Sequence, residues 1–273
     1  MDARGKEILV PVDFTMAAKY GIDNAVRLAN RLHTNIHLVN FIPPPDDKIN
    51  ENTHVEDVLS SSINLLKENQ GKLTELVHNV GSSNNNVFSE IKIDRFASGI
   101  KKQLKNKNIG IIVMGLNGHL SIGDTLCQNR RANDIIRLGC PVMVCNEHVD
   151  ALTEAKSILV SMDEDSYLND NFNKFVNLTK NLFSKWHFIH VNYRKDKKLW
   201  NKEELKQFLI KHEMPSTSLE VVDSDDKEAT IMEYAAKKKA GCVAVNRHGK
   251  SSSFKDCQVE KLVAESSFPV FIY

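Results

Sequence analysis

The chain carries an internal repeat. Four segments of its first half return in its second half in the same order: Lys6–Asp13 as Lys156–Asp163, Asn35–Val39 as Lys185–Ile189, Gly110–Gly115 as Gly241–Asn246, and Pro141–Val144 as Pro269–Ile272. The first two offsets are 150 residues and the later ones are 131 and 128, so the second copy is shorter. This pattern indicates a tandem duplication. We predict two domains, residues 1–149 and 154–273, with the seam near 148–155.

Each copy alternates apolar strands with amphipathic helices. In the first copy the hydrophobic periodicity predicts strands at 6–12, 35–41, 87–93, from Gly110 onward and at 140–145, and helices at 14–33, 54–79 and 94–107. The strand segments are apolar at consecutive positions, which is typical of strands that are buried on both faces. The sequence therefore predicts an α/β fold in which a parallel sheet lies between two layers of helices.

The stretch from Gly110 to Asn129 has the elements of an anion site. A short apolar strand is followed by a turn with Gly115 and Gly118, nine further residues, and then Gln128 and Asn129, where a helix is predicted to begin. Glycines allow close approach of the backbone to a ligand, and the N-terminus of a helix attracts negative charge. Taken alone this pattern is weak evidence, since many such turns bind no ligand.

Composition excludes several classes of function. Lys and Arg number 36 against 35 Asp and Glu, which leaves no excess charge for binding nucleic acid or a membrane surface. No window approaches the 18 or more apolar residues of a membrane span, and the first residues carry no apolar leader segment. The five cysteines are odd in number and lack C-x-x-C spacing. We predict a soluble, cytoplasmic protein.

No catalytic or metal-binding constellation is present in the sequence. It lacks the G-x-x-x-x-G-K, G-x-S-x-G and H-E-x-x-H patterns, and Val12–Thr15 replaces the S-G-G-x-D-S loop of ATP pyrophosphatases. His187 and His190 fall on opposite faces of one predicted strand and cannot both bind one metal ion. The basic run Lys101–Lys107 is interpreted as a solvated helix face. We therefore predict no catalytic residue and no metal site.

The order of elements, with ILVPVDFT in the first strand and IIVMGLNGH and GCPVMV later, resembles the universal stress protein family. This resemblance covers both halves. It implies two doubly wound, open parallel sheets of five strands in order 3-2-1-4-5, a fold of the adenine-nucleotide-alpha-hydrolase type. It also implies that ligands bind at the carboxyl ends of the central strands, and that the last strands, 141–145 and 269–273, pair within the chain. A homodimer is compatible with the resemblance, and protein partners are unknown.

The resemblance also assigns the residues of a nucleotide site. In ATP-binding members the end of the first strand and the backbone of the second hold the adenosine, and a G-x-x-G-x9-G-(S/T) loop takes the phosphates. The positions that correspond here are Pro11, Val12, Asp13, Val39, Gly115, Gly118, Gln128 and Asn129, followed by Arg130. Gln128 and Asn129 depart from the family's final G-(S/T), and Arg130 or Arg131 is an alternative phosphate partner.

Two main hypotheses follow from this resemblance, beside a third in which the cleft holds a ligand other than a nucleotide. The first is a non-catalytic regulatory protein of the stress response in which nucleotide binding is weak or absent. The alternative is a sensor of ATP or AMP with one working site in the N-terminal domain and at most slow ATP hydrolysis. In the second copy the G-(S/T) position falls on Asp256 and Cys257, and an acidic side chain repels phosphate, so no ATP is expected there.

Overall fold

The computed structural model describes residues 6–44, 55–80, 86–116, 139–146, 155–162, 170–192, 201–211, 213–215, 217–246, 262–263 and 266–273, with the side chains of 55–59 excepted. Strands and helices alternate along these ranges: β1 Glu7–Pro11, α1 Met16–Leu32, β2 Ile36–Ile42, α2 Val55–Val80, β3 Val87–Ile93, α3 Phe96–Asn106, β4 Ile109–Gly115, β5 Val142–Cys145, β6 Ser157–Ser161, α4 Asp170–Thr179, β7 Lys185–Asn192, α5 Lys202–Lys211, β8 Ser218–Asp223, α6 Lys227–Lys238, β9 Cys242–Val245 and β10 Val270–Ile272.

The described strands form one sheet of ten in the order β3-β2-β1-β4-β5-β10-β9-β6-β7-β8. Within each half the neighbouring strands are parallel and follow the order 3-2-1-4-5. The prediction of a doubly wound parallel sheet in each half is therefore confirmed. The predicted seam near 148–155 lies almost wholly outside the described residues.

Strands β5 and β10 join the two halves. They run antiparallel, with Val144 opposite Val270 and Met143 opposite Phe271. An unpaired edge strand exposes backbone N–H and C=O groups that favour aggregation. Because each of these strands covers the edge of the other, the two five-stranded sheets continue into each other.

The helices cover the sheet on both faces. Ile8 and Val10 of β1 belong to the apolar core beneath α1, α2, α4 and α5, whereas Leu9 belongs to the core beneath α3 and α6. This alternation is the two-residue period of a strand that is buried on both sides. It explains why the apolar segments in the sequence are continuous.

Polar contacts also connect the halves. Arg31 at the end of α1 donates hydrogen bonds to the carbonyl oxygens of Ala155 (2.9 Å) and Leu182, and its guanidinium lies 5.3 Å from the centroid of the Phe183 ring. The buried side chain of Asn146, directly after β5, donates to the carbonyls of Val263 (2.8 Å) and Ser266 (3.0 Å). These bonds satisfy backbone groups that the junction buries.

The amino edge of the N-terminal half holds a charged network. His37 Nε2 lies 2.6 Å from a carboxylate oxygen of Glu7, and Asn35 donates to the other Glu7 oxygen at 3.0 Å. Lys107 Nζ contacts His37 Nδ1 at 3.2 Å and Glu90 at 2.6 Å. The interpretation of the run 101–107 as fully solvated is therefore wrong for Lys107, which the end of α3 directs back onto the sheet.

Glu7→Gln is expected to lower the free energy of unfolding at neutral pH by about 1 kcal/mol. Burial opposes ionisation of Glu7, but hydrogen bonds from Asn35 and His37 outweigh it and hold the pKa of Glu7 below its ordinary value of 4.5. A lowered pKa in the folded state gives stability that is complete above the unfolded pKa and is lost as pH falls through the folded pKa. Urea denaturation at a series of pH values should therefore show the difference between the two proteins shrinking below pH 4.5. The same change at the exposed Glu75 is the control, and a difference independent of pH would contradict the assignment.

Candidate functional site

The candidate site lies at the carboxyl ends of β1, β2 and β4. The strand order places β1 between β2 and β4, and the chain changes direction across the sheet at this point. In open α/β sheets such a reversal leaves a crevice where ligands bind. Of the predicted residues, the structure brings Pro11, Val12, Asp13, Val39 and Gly115 to this edge. Gly118, Gln128, Asn129 and Arg130 lie outside the described residues.

Asp13 begins a tight turn between β1 and α1. Its side chain is exposed, and one carboxylate oxygen accepts hydrogen bonds from the backbone N–H (3.1 Å) and the hydroxyl (2.6 Å) of Thr15. Thr15 in turn caps α1 by accepting the N–H of Ala18 at 3.3 Å. Phe14 between them has φ +62°, a left-handed conformation that is unusual for a bulky residue. The turn thus fixes the Asp13 carboxylate just beyond the carboxyl end of β1.

Val12 and Val39 are buried in the sheet. The N–H of Val12 donates to the carbonyl of Val39 at 2.9 Å, and the two side chains are at most 3% exposed. Their side chains therefore serve the core. Any contact that they make with a ligand is restricted to backbone groups that the sheet leaves available.

Two buried amides brace the end of β1, and the sequence analysis missed them. Asn40 donates to the carbonyl of Val12 at 2.8 Å, and Asn69 on α2 donates to the side-chain oxygen of Asn40 at 3.0 Å. At the repeated position in the second half, His190 Nδ1 lies 2.7 Å from the carbonyl oxygen of Met162. The sequence did contain a pattern that could have indicated these residues. A polar residue follows an apolar run in both copies, as Asn40 and His190, at an offset of 150.

Gly115 is required by the packing of α1 on β4. A Cβ atom placed on Gly115 would lie 1.5 Å from the carbonyl oxygen of Ala17 and 3.0 Å from the backbone nitrogen of Gly21. Gly21 has the reciprocal contact, since its Cβ would lie 2.7 Å from the Gly115 nitrogen. Because Gly115 has no side chain, α1 can pack closely against β4. The G-x-x-G motif alone did not indicate this packing role.

The equivalent region of the second half is built differently. Asn246, at the position of Gly115, is fully buried and carries a side chain where the first half has none. The hydroxyl of Tyr273 donates to the carbonyl of Ser161 at 2.7 Å, and its ring stacks on Phe175 at 5.3 Å between centroids. The Tyr273 side chain thus occupies the carbonyl at the end of β6. Asp163, Asp256 and Cys257 lie outside the described residues.

The described residues hold neither a cluster of metal ligands nor an exposed cysteine thiol. No group of three His, Cys, Asp or Glu side chains there is placed to hold a metal ion. Cys140, Cys145 and Cys242 are buried and reduced. Burial raises the pKa of the Cys140 thiol to about 12 and raises the pKa values of the other two as well. A protonated, buried thiol is a poor nucleophile, so these cysteines are core residues.

The described residues form a doubly wound, mostly parallel sheet, which places the chain in the class of open-sheet α/β proteins. A sequence profile of the universal stress protein family matches residues 5–146, more than half of the 273 residues. The chain belongs to the universal stress protein family. No curated protein sequence matches it.

Solved structures share the fold over the whole chain. A universal stress protein from Archaeoglobus fulgidus superposes with a TM-score of 0.73 at 15% identity, covering 98% of each chain. A protein of unknown function from Pseudomonas aeruginosa gives 0.54 at 13% identity, covering 99% of this chain and 92% of its own. The cytoplasmic domain of a prokaryotic cation chloride cotransporter gives 0.51 at 12% identity, covering 98% and 95%. At these identities the likeness concerns the fold. Separately, none of the described helices is both long enough and apolar enough to cross a bilayer.

Proposed function

We propose that this member of the stress family is a non-catalytic, cytoplasmic regulatory protein whose nucleotide binding is weak or absent. The observation that carries the proposal is Gln128-Asn129 in place of the G-(S/T) that closes the family's phosphate loop. A side chain replaces a glycine where the backbone must approach a phosphate closely. The small hydroxyl donor is also lost, although an asparagine amide can donate in its place.

The packing of Gly115 supports this proposal. The space in front of its Cα is filled by the carbonyl of Ala17, so the glycine is retained for the fold whether or not a phosphate binds. Its presence therefore counts less toward a nucleotide site than the family motif suggests.

We propose a structural role for the second half. Asn246 is buried at the position of Gly115, and Tyr273 bonds to the end of β6. The acidic Asp256 stands where the family places a phosphate-binding glycine. This half then acts as the permanent partner of the first, through β5 and β10.

Native mass spectrometry of protein purified without added ligand tests the proposal. The expected mass is that of the chain alone, or of its homodimer. One nucleotide retained per chain would contradict weak binding, whereas a different retained molecule would show that the crevice has changed its specificity. In the latter case the regulatory role would depend on that molecule.

The alternative function is a sensor of ATP or AMP with one N-terminal site. Its support is Asp13, exposed and held by Thr15 beside the buried ends of β1 and β2. A carboxylate in this position suits the hydroxyl groups of a ribose, because charge-assisted hydrogen bonds are strong.

If the alternative holds, Asp13→Ala weakens ATP binding by about tenfold or more, which corresponds to the loss of one hydrogen bond to a charged group. Asp13→Asn keeps an acceptor for Thr15 and separates loss of charge from loss of the turn. Asp23→Ala, at an exposed position of α1, is the matched control. Fluorescence titration with a nucleotide analogue measures the affinities. An affinity unchanged by Asp13→Ala would show that the residue is not part of the site.

A further inference from the structure

The two halves differ at the amino edge of the sheet. His37 on β2 and His187 on β7 occupy the same position of the repeat, and both are more than 90% buried. In the first half the Glu7 carboxylate is bonded to the His37 ring, and Glu90 is bonded to the neighbouring Lys107. The ammonium of Lys107 there faces the Glu90 carboxylate.

In the second half the carboxylates are gone from this position. Ser157 stands in place of Glu7. Ser218 lies next to the histidine, with its hydroxyl oxygen 2.6 Å from His187 Nδ1. Glu220, at the position of Glu90, instead accepts an ion pair from Lys202 on α5 (3.2 Å), which belongs to the opposite helical layer. The histidine therefore lacks a carboxylate neighbour among the described residues.

One positive charge at this position is kept, and a second is added by Lys185 in place of Asn35. Lys238 corresponds to Lys107, and its ammonium lies 5.2 Å from the centroid of the Tyr234 ring. Burial lowers the pKa of His187, and the nearby charges of Lys238 and Lys185 lower it further. Neither lysine forms an ion pair with a carboxylate in the described ranges.

Two polar groups at this position also make no hydrogen bond to a described residue. Ser157 is only 7% exposed, and its hydroxyl has no hydrogen-bond partner among the described residues. Buried polar groups are normally paired, so an unpartnered hydroxyl requires an explanation. His187 Nε2, whose counterpart in His37 meets the Glu7 carboxylate, likewise makes no bond to a described residue.

We propose that Ser157, Lys185, His187, Ser218 and Lys238 form a binding site for a small oxyanion of the phosphate class. The anion takes the place that the Glu7 carboxylate occupies beside His37 in the first half. The two ammonium groups, the unpartnered Ser157 hydroxyl and one donor of the bonded His187–Ser218 pair are available to the anion, and neither lysine is paired with a carboxylate in the described ranges. The site is independent of nucleotide binding at the N-terminal crevice.

Titration of inorganic phosphate into the full-length protein tests this site. Binding is measured by calorimetry and by the ring resonances of His187 in NMR spectra. We expect one phosphate per chain and a shift of the His187 resonances, which His187→Gln identifies. Lys238→Met removes a charge from a half-exposed helix end and should weaken phosphate binding by about tenfold or more. Ser157→Glu restores the carboxylate of the first half and should abolish binding.

A matched control distinguishes this site from other surfaces. Lys107→Met makes the same change in the first half and should leave phosphate affinity unchanged. Circular dichroism establishes that each variant is folded. The proposal is contradicted if the unsubstituted protein binds no phosphate, or if Lys238→Met or Ser157→Glu binds it like the unsubstituted protein.

Discussion

Gly115→Ala is expected to lower the free energy of unfolding by at least about 3 kcal/mol, or to prevent folding. The added methyl group would lie 1.5 Å from the carbonyl oxygen of Ala17 and 2.5 Å from its carbonyl carbon. Both atoms belong to the backbone of the first turn of α1, so the clash is not relieved by rotation of a side chain. The helix must move away from β4 and open the core around Ile22. Urea denaturation followed by circular dichroism measures the loss.

Gly71→Ala is the matched control. Gly71 lies inside α2, and a Cβ atom there meets no atom within 4 Å. Alanine is the better helix former, so this variant should be more stable by about 0.5–1 kcal/mol. If Gly115→Ala instead had the stability of the unsubstituted protein and changed only ligand binding, the glycine would belong to the ligand site and the packing argument would be wrong.

Phe271→Ala is expected to cost about 3–5 kcal/mol. Phe271 is fully buried on β10, the strand that joins the halves, and its ring lies 5.4 Å from that of Phe175 and 6.4 Å from that of Phe183 between centroids. Removing the ring leaves a cavity in a core that includes Met143 of the first half and Phe175 of the second. We expect a single unfolding transition at lower denaturant concentration, because the two halves share this core.

Two further variants provide comparisons for the stability cost of Phe271→Ala. Phe271→Leu keeps most of the volume and should cost about 1–1.5 kcal/mol. Phe88→Ala removes a ring of the same size from edge strand β3, where it is 46% exposed and stacks on His37, and should cost about 1 kcal/mol. Two separate transitions in Phe271→Ala would show that the halves unfold independently and that the shared core contributes little.

Much of the fold was predictable because its signals are local. Apolar runs such as Ile8–Val10 indicate strands buried on both faces, and the repeated segments predict that one architecture occurs twice. The strand order came from the family resemblance, since periodicity alone does not order strands. The antiparallel pairing of β5 with β10 is now seen in the register of Val144 with Val270.

The candidate site was less predictable because its contacts join distant parts of the chain. Asn40 and Asn69 are 29 residues apart, and neither shows in sequence that their amides form a chain to Val12. The role of Gly115 depends on how closely α1 crosses β4, which is a property of the folded layers. Lys107 reads as one more basic surface residue until β3 places Glu90 beside it.

Calorimetric titration of ATP and AMP, with and without magnesium, into the full-length protein tests the proposed weak or absent nucleotide binding most directly. We predict no saturable heat for a site tighter than about 1 mM, which corresponds to about 4 kcal/mol of binding free energy, and an unchanged melting temperature. The search for function would then turn to protein partners. Saturable binding at one site per chain in the micromolar range, about 8 kcal/mol, would contradict this proposal. That result would establish the N-terminal crevice as a nucleotide sensor that tolerates Gln128 and Asn129.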